Sequence, residues 1–235
     1  MSDWRWRRWT GALGIAYVAM QLAGVILFVV AGNPPSFDDA KSYAGFISSG
    51  SSLFLGDAVL TGVATIVLLL VATGIRGAVL TAGQDWEWAA ALSFGAVLVL
   101  AAVAFTGAAL EAATALASTA GTDPMTVRTA WVVTSFLFTF IYLPSALFLA
   151  TVSYTVLRTG VLPGWVAWLG AVCAIFNLGA ILTVFGGTGG FGPLGLLPLI
   201  LGFAPGALWV FGISIALLIA SSSAERGGPA PTGSA

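Results

Sequence analysis

Six apolar runs, each of about 20 residues or more, leave this chain few ways to fold. They extend approximately from Thr10 to Ala31, Leu53 to Ile75, Trp88 to Leu110, Thr129 to Leu157, Trp165 to Phe185, and Leu196 to Ala220. A hydrocarbon layer ~30 Å thick is crossed by about 20 helical residues rising 1.5 Å each. None of the runs shows the strict alternation of a barrel strand. Backbone groups find no partner in lipid, so such runs must close their own hydrogen bonds as helices. The expected fold is all-α, a polytopic transmembrane bundle of about six helices.

Composition agrees. Of 235 residues, 59% are hydrophobic and only 7% charged. Soluble domains carry roughly a quarter charged, so most of this surface must face something other than water. The net charge of −1, with eight cations scattered along the chain, offers no basic face for nucleic acid. Histidine is absent, which removes the commonest ligand for zinc, haem and copper and the usual general base. No Ser–His or Cys–His arrangement can form, so the expectation is no enzyme, no metal and no cofactor. The single cysteine, Cys173, reads as a small buried hydrophobe. The single lysine, Lys41, falls in a polar loop and leaves no intramembrane lysine for a Schiff base.

The charges also orient the chain. Arg5, Arg7, Arg8, Arg76, Arg158 and Arg226 fall on one side of the spans, and only Lys41 and Arg128 on the other. The positive-inside rule then predicts both termini in the cytoplasm, in a multi-pass protein of the cell (inner) membrane. Residues 1–9, with the segment WRWRRW, read as an interfacial anchor of rings and guanidinium groups. The first apolar run is longer than a signal peptide's core of about 7–15 residues, so it reads as an uncleaved helix. Residues 10–220 form the transmembrane domain, and the tail 221–235, SSSAERGGPAPTGSA, reads as disordered.

Between the first two spans, Asn33-Pro34-Pro35 stops the helix. Ser36 is then placed to cap a short amphipathic helix in the first outer loop, reaching to about Ser48, with Asp38 and Asp39 in its first turn. The connection GGTGGFGP, before the sixth span, lacks the lysine and strand context of a phosphate loop.

Two stretches carry a family likeness. One is FDDAKSYAGFISSGSSLFLGDAVLTGVATIVLLLVATGIRGAVL, an acidic amphipathic loop leading into a helix that ends at arginine. The other is VLPGWVAWLGAVCAIFNLGAILTVFG, opened by the turn Leu162-Pro163-Gly164-Trp165. Together they resemble an uncharacterised bacterial six-helix membrane family known as domain of unknown function 4386. The resemblance implies a six-helix membrane fold. It brings no established activity and no functional residues, and here the acid of the third helix, Glu111, comes late rather than early.

Ionisable groups in membrane helices cost about 2.5–3.5 kcal/mol on insertion scales, so each marks a candidate site. Asp57 and Glu111 are those groups. Counted from Arg76 and Trp88, both rise about 28 Å or more, to the outer boundary where Arg128 opens the fourth span. Two readings follow for Asp57, Glu111 and Arg128. The first is a boundary ion pair with carboxylates reaching solvent. The second is an outward-facing polar cluster for an ion, proton or cationic solute. Near the midplane, Gln21 and Asn177 are expected to face the interior as interhelical glue, with the first and fifth spans adjacent. Pro144 and Pro205 should kink their helices, and Gly202 with Gly206 forms a GxxxG for close packing.

The first functional expectation is a bundle that binds a lipid, a small ligand or a partner subunit. The alternative is a small transporter or channel using Asp57, Glu111 and Arg128; an intramembrane enzyme ranks last. The partners compatible with this are membrane lipids, a small hydrophobic or cationic ligand, and a membrane protein or second copy of the chain.

Overall fold

The computed structural model describes residues 3–32, 34, 35, 37–186 and 196–226. Every regular element among them is helical. Six stretches are long and apolar enough to cross a membrane: Arg5–Ala31, Ser51–Leu80, Gln84–Thr119, Pro124–Thr159, Gly164–Phe185 and Leu199–Ser222. This is the pattern of a multi-pass membrane protein.

The first span lies in α1 (Asp3–Ala31), which already includes the Trp/Arg segment, so that segment is helical and continuous with the span. Gly32, at φ 97°, ends it in a backbone conformation that glycine adopts without a Cβ clash. A short helix α2 (Ala40–Ser49) follows, capped by Asp39, whose Oδ1 accepts from the backbone N–H groups of Lys41 and Ser42 at 3.1 Å each. The cap is therefore Asp39, three residues later than expected, because its carboxylate takes the first free amides of the helix; Ser36 lies outside the described residues. Next come α3 (Ser51–Leu80) and α4 (Glu87–Thr119). Asp123 caps α5 (Pro124–Phe140), accepting from the Thr126 N–H at 3.0 Å, with Pro124 opening the helix.

The fourth span is not one helix. It breaks between α5 and α6 (Tyr142–Thr159), at Ile141. Pro144 supplies no N–H for the carbonyl four residues back, and its ring clashes there, so the interruption falls at Phe140 and Ile141. The chain continues through α7 (Gly164–Ile181) into a 3-10 turn, Leu182–Phe185. Of the GGTGGFGP connection, only Gly186 lies within the described residues. The sixth span starts with the short α8 (Leu196–Pro198) and a π-helical turn, Leu199–Phe203, before α9 (Ala204–Arg226). Pro205 sits just beyond that turn and removes the N–H that would have kept it α-helical. α9 runs to Arg226, five residues past the start of the expected tail; residues 227–235 lie outside the described set.

Neighbouring spans close a ring: α1 packs on α3, α3 on α4, α4 on α5 and α6, α6 on α7, α7 on α9, and α9 on α1. In lipid the hydrophobic effect does not draw helices together, so close packing of small side chains must do so. The inward face of α4 is accordingly a seam of Ala96, Ala101, Ala104, Gly107, Ala108 and Ala115. Two apolar clusters flank the middle of the bundle. The larger, around Val71, Ile75, Val97, Leu149, Val152, Trp209 and Ile213, fills the half that carries the chain termini. The smaller joins Tyr43, Ile47, Phe54, Ala115, Val127 and Trp131 at the end covered by α2.

Candidate functional site

Glu111 belongs to the α4 seam. It follows Ala104 and Ala108 at the three-to-four spacing that keeps residues on one helix face, and the seam resumes at Ala115. It lies eight residues inside the α4 terminus at Thr119, or about 12 Å below the helix end. Asp57 lies six residues inside α3, about 9 Å from its start at Ser51. Packing α3 against α4 brings the two carboxyl groups within hydrogen-bonding reach of each other. Glu111 is only 3% exposed and Asp57 is half-buried. On the far side stands Gly24 of α1, where a Cβ would collide with Asp57 Oδ1, so the missing side chain makes room for the carboxyl. Glu111 Oε2 is buried with no hydrogen-bond partner among the described residues.

That contact has a chemical consequence. An ionised carboxylate only accepts hydrogen bonds, so two carboxyl groups this close bond to each other only when one of them carries a proton. A proton held there would belong to the pair rather than to either residue.

Arg128 does not join the pair. Its Nη1 donates to the Phe37 carbonyl oxygen at 3.0 Å and to that of Asp38 at 3.5 Å, and its guanidinium stands 4.9 Å from the Phe37 ring centroid. Both expected arrangements called for Arg128 beside the carboxyls, whereas its contacts here are with the loop before α2. Arg128 is four residues inside α5, about 6 Å from its start, and reaches loop carbonyls without entering the bundle. Both carboxyls lie deeper, and an aromatic layer intervenes.

The part of this layer that comes from the spans was not anticipated from the sequence. Phe54, one turn before Asp57, packs edge-on against Trp131, one turn after Arg128, at 4.7 Å between ring centroids. Phe28 of α1 joins at 6.2 Å and Phe46 of α2 at 5.6 Å, and Tyr43 packs between Phe37 and Phe46. Helix α2 thus lays its apolar face over the acid pair. Burial pushes the Tyr43 phenol up to about 12. The hydrogen bonds from Ser42 hold the Asp39 carboxyl below its ordinary range. The signal that could have found the layer is register: Phe54 and Asp57 share a face of α3, as do Arg128 and Trp131 of α5.

The midplane residues form a second polar group. Gln21 Nε2 donates to the Tyr17 hydroxyl at 3.0 Å. Asn177 Nδ2 donates to the Cys173 carbonyl at 3.0 Å and to the Gly202 carbonyl, in the π-helical turn, at 3.2 Å. The Cys173 thiol reaches the Pro205 carbonyl at 3.1 Å. Side chains of α7 thereby reach across to carbonyls at the irregular start of the sixth span. The first and fifth spans are not the neighbours expected; α1 packs on α3 and α9, because α9 and Tyr142 occupy the space between them. Gly202 receives the Tyr142 ring, whereas a Cβ at Gly206 would meet nothing within 4 Å, so only Gly202 of this GxxxG supports a close approach within the chain.

Among the described residues no group of three or more His, Cys, Asp or Glu side chains is placed to hold a metal. No family model, curated protein or solved structure matches this chain. The acid pair must therefore be read from its own geometry.

Proposed function

We propose that this protein is a small proton-linked carrier of the cell (inner) membrane, with Asp57 and Glu111 as its proton-binding residues. The observation that carries the reading is the juxtaposition of two carboxyl groups, one of them fully buried, inside a bundle of apolar spans. Ionisable side chains are costly at such depth and concentrate where ions or protons are handled. With the two carboxyls side by side and α1 close against Asp57 at Gly24, a proton is the smallest species that the pair could share. The broken fourth span and the π-helical start of the sixth support the reading, since carriers place irregular backbone where it lines a functional interior. The distribution of arginine and lysine supports cytoplasmic termini, which puts α2 and its aromatic layer on the outer face.

The test is proton movement into liposomes that contain the purified chain and a pH-sensitive dye, driven by a potassium diffusion potential. The wild-type protein should acidify the lumen faster than empty liposomes do. Asp57→Asn and Glu111→Gln, which keep the volume and one donor, should abolish the difference while the protein stays folded. Unchanged flux in both variants would leave the pair a purely structural contact.

A further inference from the structure

Three aromatic rings meet at the end of the bundle that carries the chain termini, where the third span starts and the fourth ends. Trp86 lies just before α4 and Trp88 in its first turn; Tyr154 comes from α6, five residues before Thr159. Their centroids form a triangle with sides of 6.3 Å for Trp86–Trp88, 5.8 Å for Trp86–Tyr154 and 6.5 Å for Trp88–Tyr154. The ring planes are inclined at 30°, 55° and 48°, so no ring stands edge-on in the face of another. Residues two apart on an α-helix do not face each other. The 3-10 turn Gln84–Trp86 ahead of α4 lets both indoles gather on one side. Trp86 is anchored against Val79, Ala89 and Ala90, whereas Trp88 and Tyr154 remain 53% and 48% exposed.

Charged groups border the triangle. Asp85 and Glu87 flank Trp86 in the chain, and both are exposed. Arg158 is exposed too, one turn beyond Tyr154 on the same face of α6 and about 6 Å along the helix. Carboxylates thus adjoin the indole side of the triangle, and a guanidinium its tyrosine side. Single tryptophans and tyrosines serve as routine anchors at headgroup level. An anchor does not call for three rings in mutual contact from two spans, with opposite charges on either side.

We propose that this patch binds the headgroup of a zwitterionic phospholipid, its ammonium on the three rings and its phosphate on Arg158. A cation is attracted to a ring within about 6 Å of the centroid, and an ammonium about 4 Å above the middle of the triangle satisfies that for all three. Asp85 and Glu87 add charge of the matching sign beside it. Arginine suits phosphate through its fork of N–H donors. Position selects a lipid as the source, since span ends rich in tryptophan and tyrosine lie at the headgroups. An anionic lipid without an ammonium offers the rings nothing and sets its charge near two carboxylates. The patch stands at the opposite end of the bundle from the acid pair, and its function does not depend on that pair.

Native mass spectrometry of the full chain tests this, with phosphatidylethanolamine and phosphatidylglycerol of identical acyl chains added in equal amounts. The wild-type protein should retain one phosphatidylethanolamine about tenfold more readily than phosphatidylglycerol. Trp88→Leu/Tyr154→Leu removes the two exposed rings and leaves Trp86 on its anchor. It should cut phosphatidylethanolamine retention about tenfold, as the loss of two exposed cation–ring contacts predicts. Arg158→Gln should weaken both lipids, because both carry the phosphate. Trp168→Leu, at an exposed indole of α7, is the control and should retain lipid as the wild type does. Equal retention of the two lipids by the wild-type protein overturns the proposal. So does undiminished preference in the double ring variant, or an equal loss in Trp168→Leu, which would reduce the triangle to part of a general aromatic belt.

Discussion

Gly24 sets how closely the first span can approach the acid pair, and it makes a sharp residue-scale test. A Cβ there meets Asp57 Oδ1, so Gly24→Ala must displace the carboxyl or push α1 away from α3. Overpacking of this kind costs about 1–3 kcal/mol. Gly206→Ala is the matched control, since its Cβ meets nothing and alanine is the better helix former by about 1 kcal/mol. Thermal unfolding in one detergent should show Gly24→Ala melting earlier than wild type and Gly206→Ala at least as late. Equal melting of the two variants would mean that α1 does not bear on the pair. At this scale the sequence was informative about identity and poor about company. Residue counts placed Asp57 and Glu111 at a common depth, and helix packing brought them together. The same counts grouped Arg128 with them, because counting measures depth and is blind to direction. Arg128 turns to the Phe37 and Asp38 carbonyls, which take hydrogen bonds from its Nη1.

Elements show a different balance between what was legible and what was not. The six spans and the two proline interruptions follow from hydrophobic length and from the missing N–H of Pro144 and Pro205. The seating of α2 did not, since it depends on Phe54 and Trp131 meeting across spans that are far apart in sequence. Removing one member of that layer, as in Trp131→Ala, should cost about 3–5 kcal/mol and expose the pair, which chemical denaturation can measure. The hold of Asp39 on α2 is titratable. Its carboxyl has a lower pKa in the folded protein than in the unfolded chain, so its contribution is present above the unfolded carboxylate range and is lost as pH falls through the folded value. Amide exchange should therefore show Lys41 and Ser42 less protected in Asp39→Ala than in wild type at neutral pH. The two proteins should converge in acid. A constant gap down to low pH would assign the protection to something other than this cap.

The whole molecule is a ring of spans, with the aromatic cluster of α2, α3 and α5 at one end and a larger apolar cluster that reaches from the other end to the level of Tyr17 and Cys173. Depth from the helix ends puts the aromatic layer outermost and the carboxyls beneath it, an order that only the three-dimensional register of α3, α4 and α5 could reveal. Sidedness is a separate matter of charge distribution. A reporter active only in the cytoplasm should work when fused after Arg158 or Arg226 and fail when inserted near Lys41; activity at Lys41 would invert the orientation. The central claim is that one proton sits between Asp57 and Glu111, and it is tested most directly by the steady-state infrared spectrum of the protein in neutral buffer. The account predicts a protonated-carboxyl C=O band in the wild-type protein that disappears in Glu111→Gln. A wild-type spectrum with only ionised carboxylate bands would contradict it.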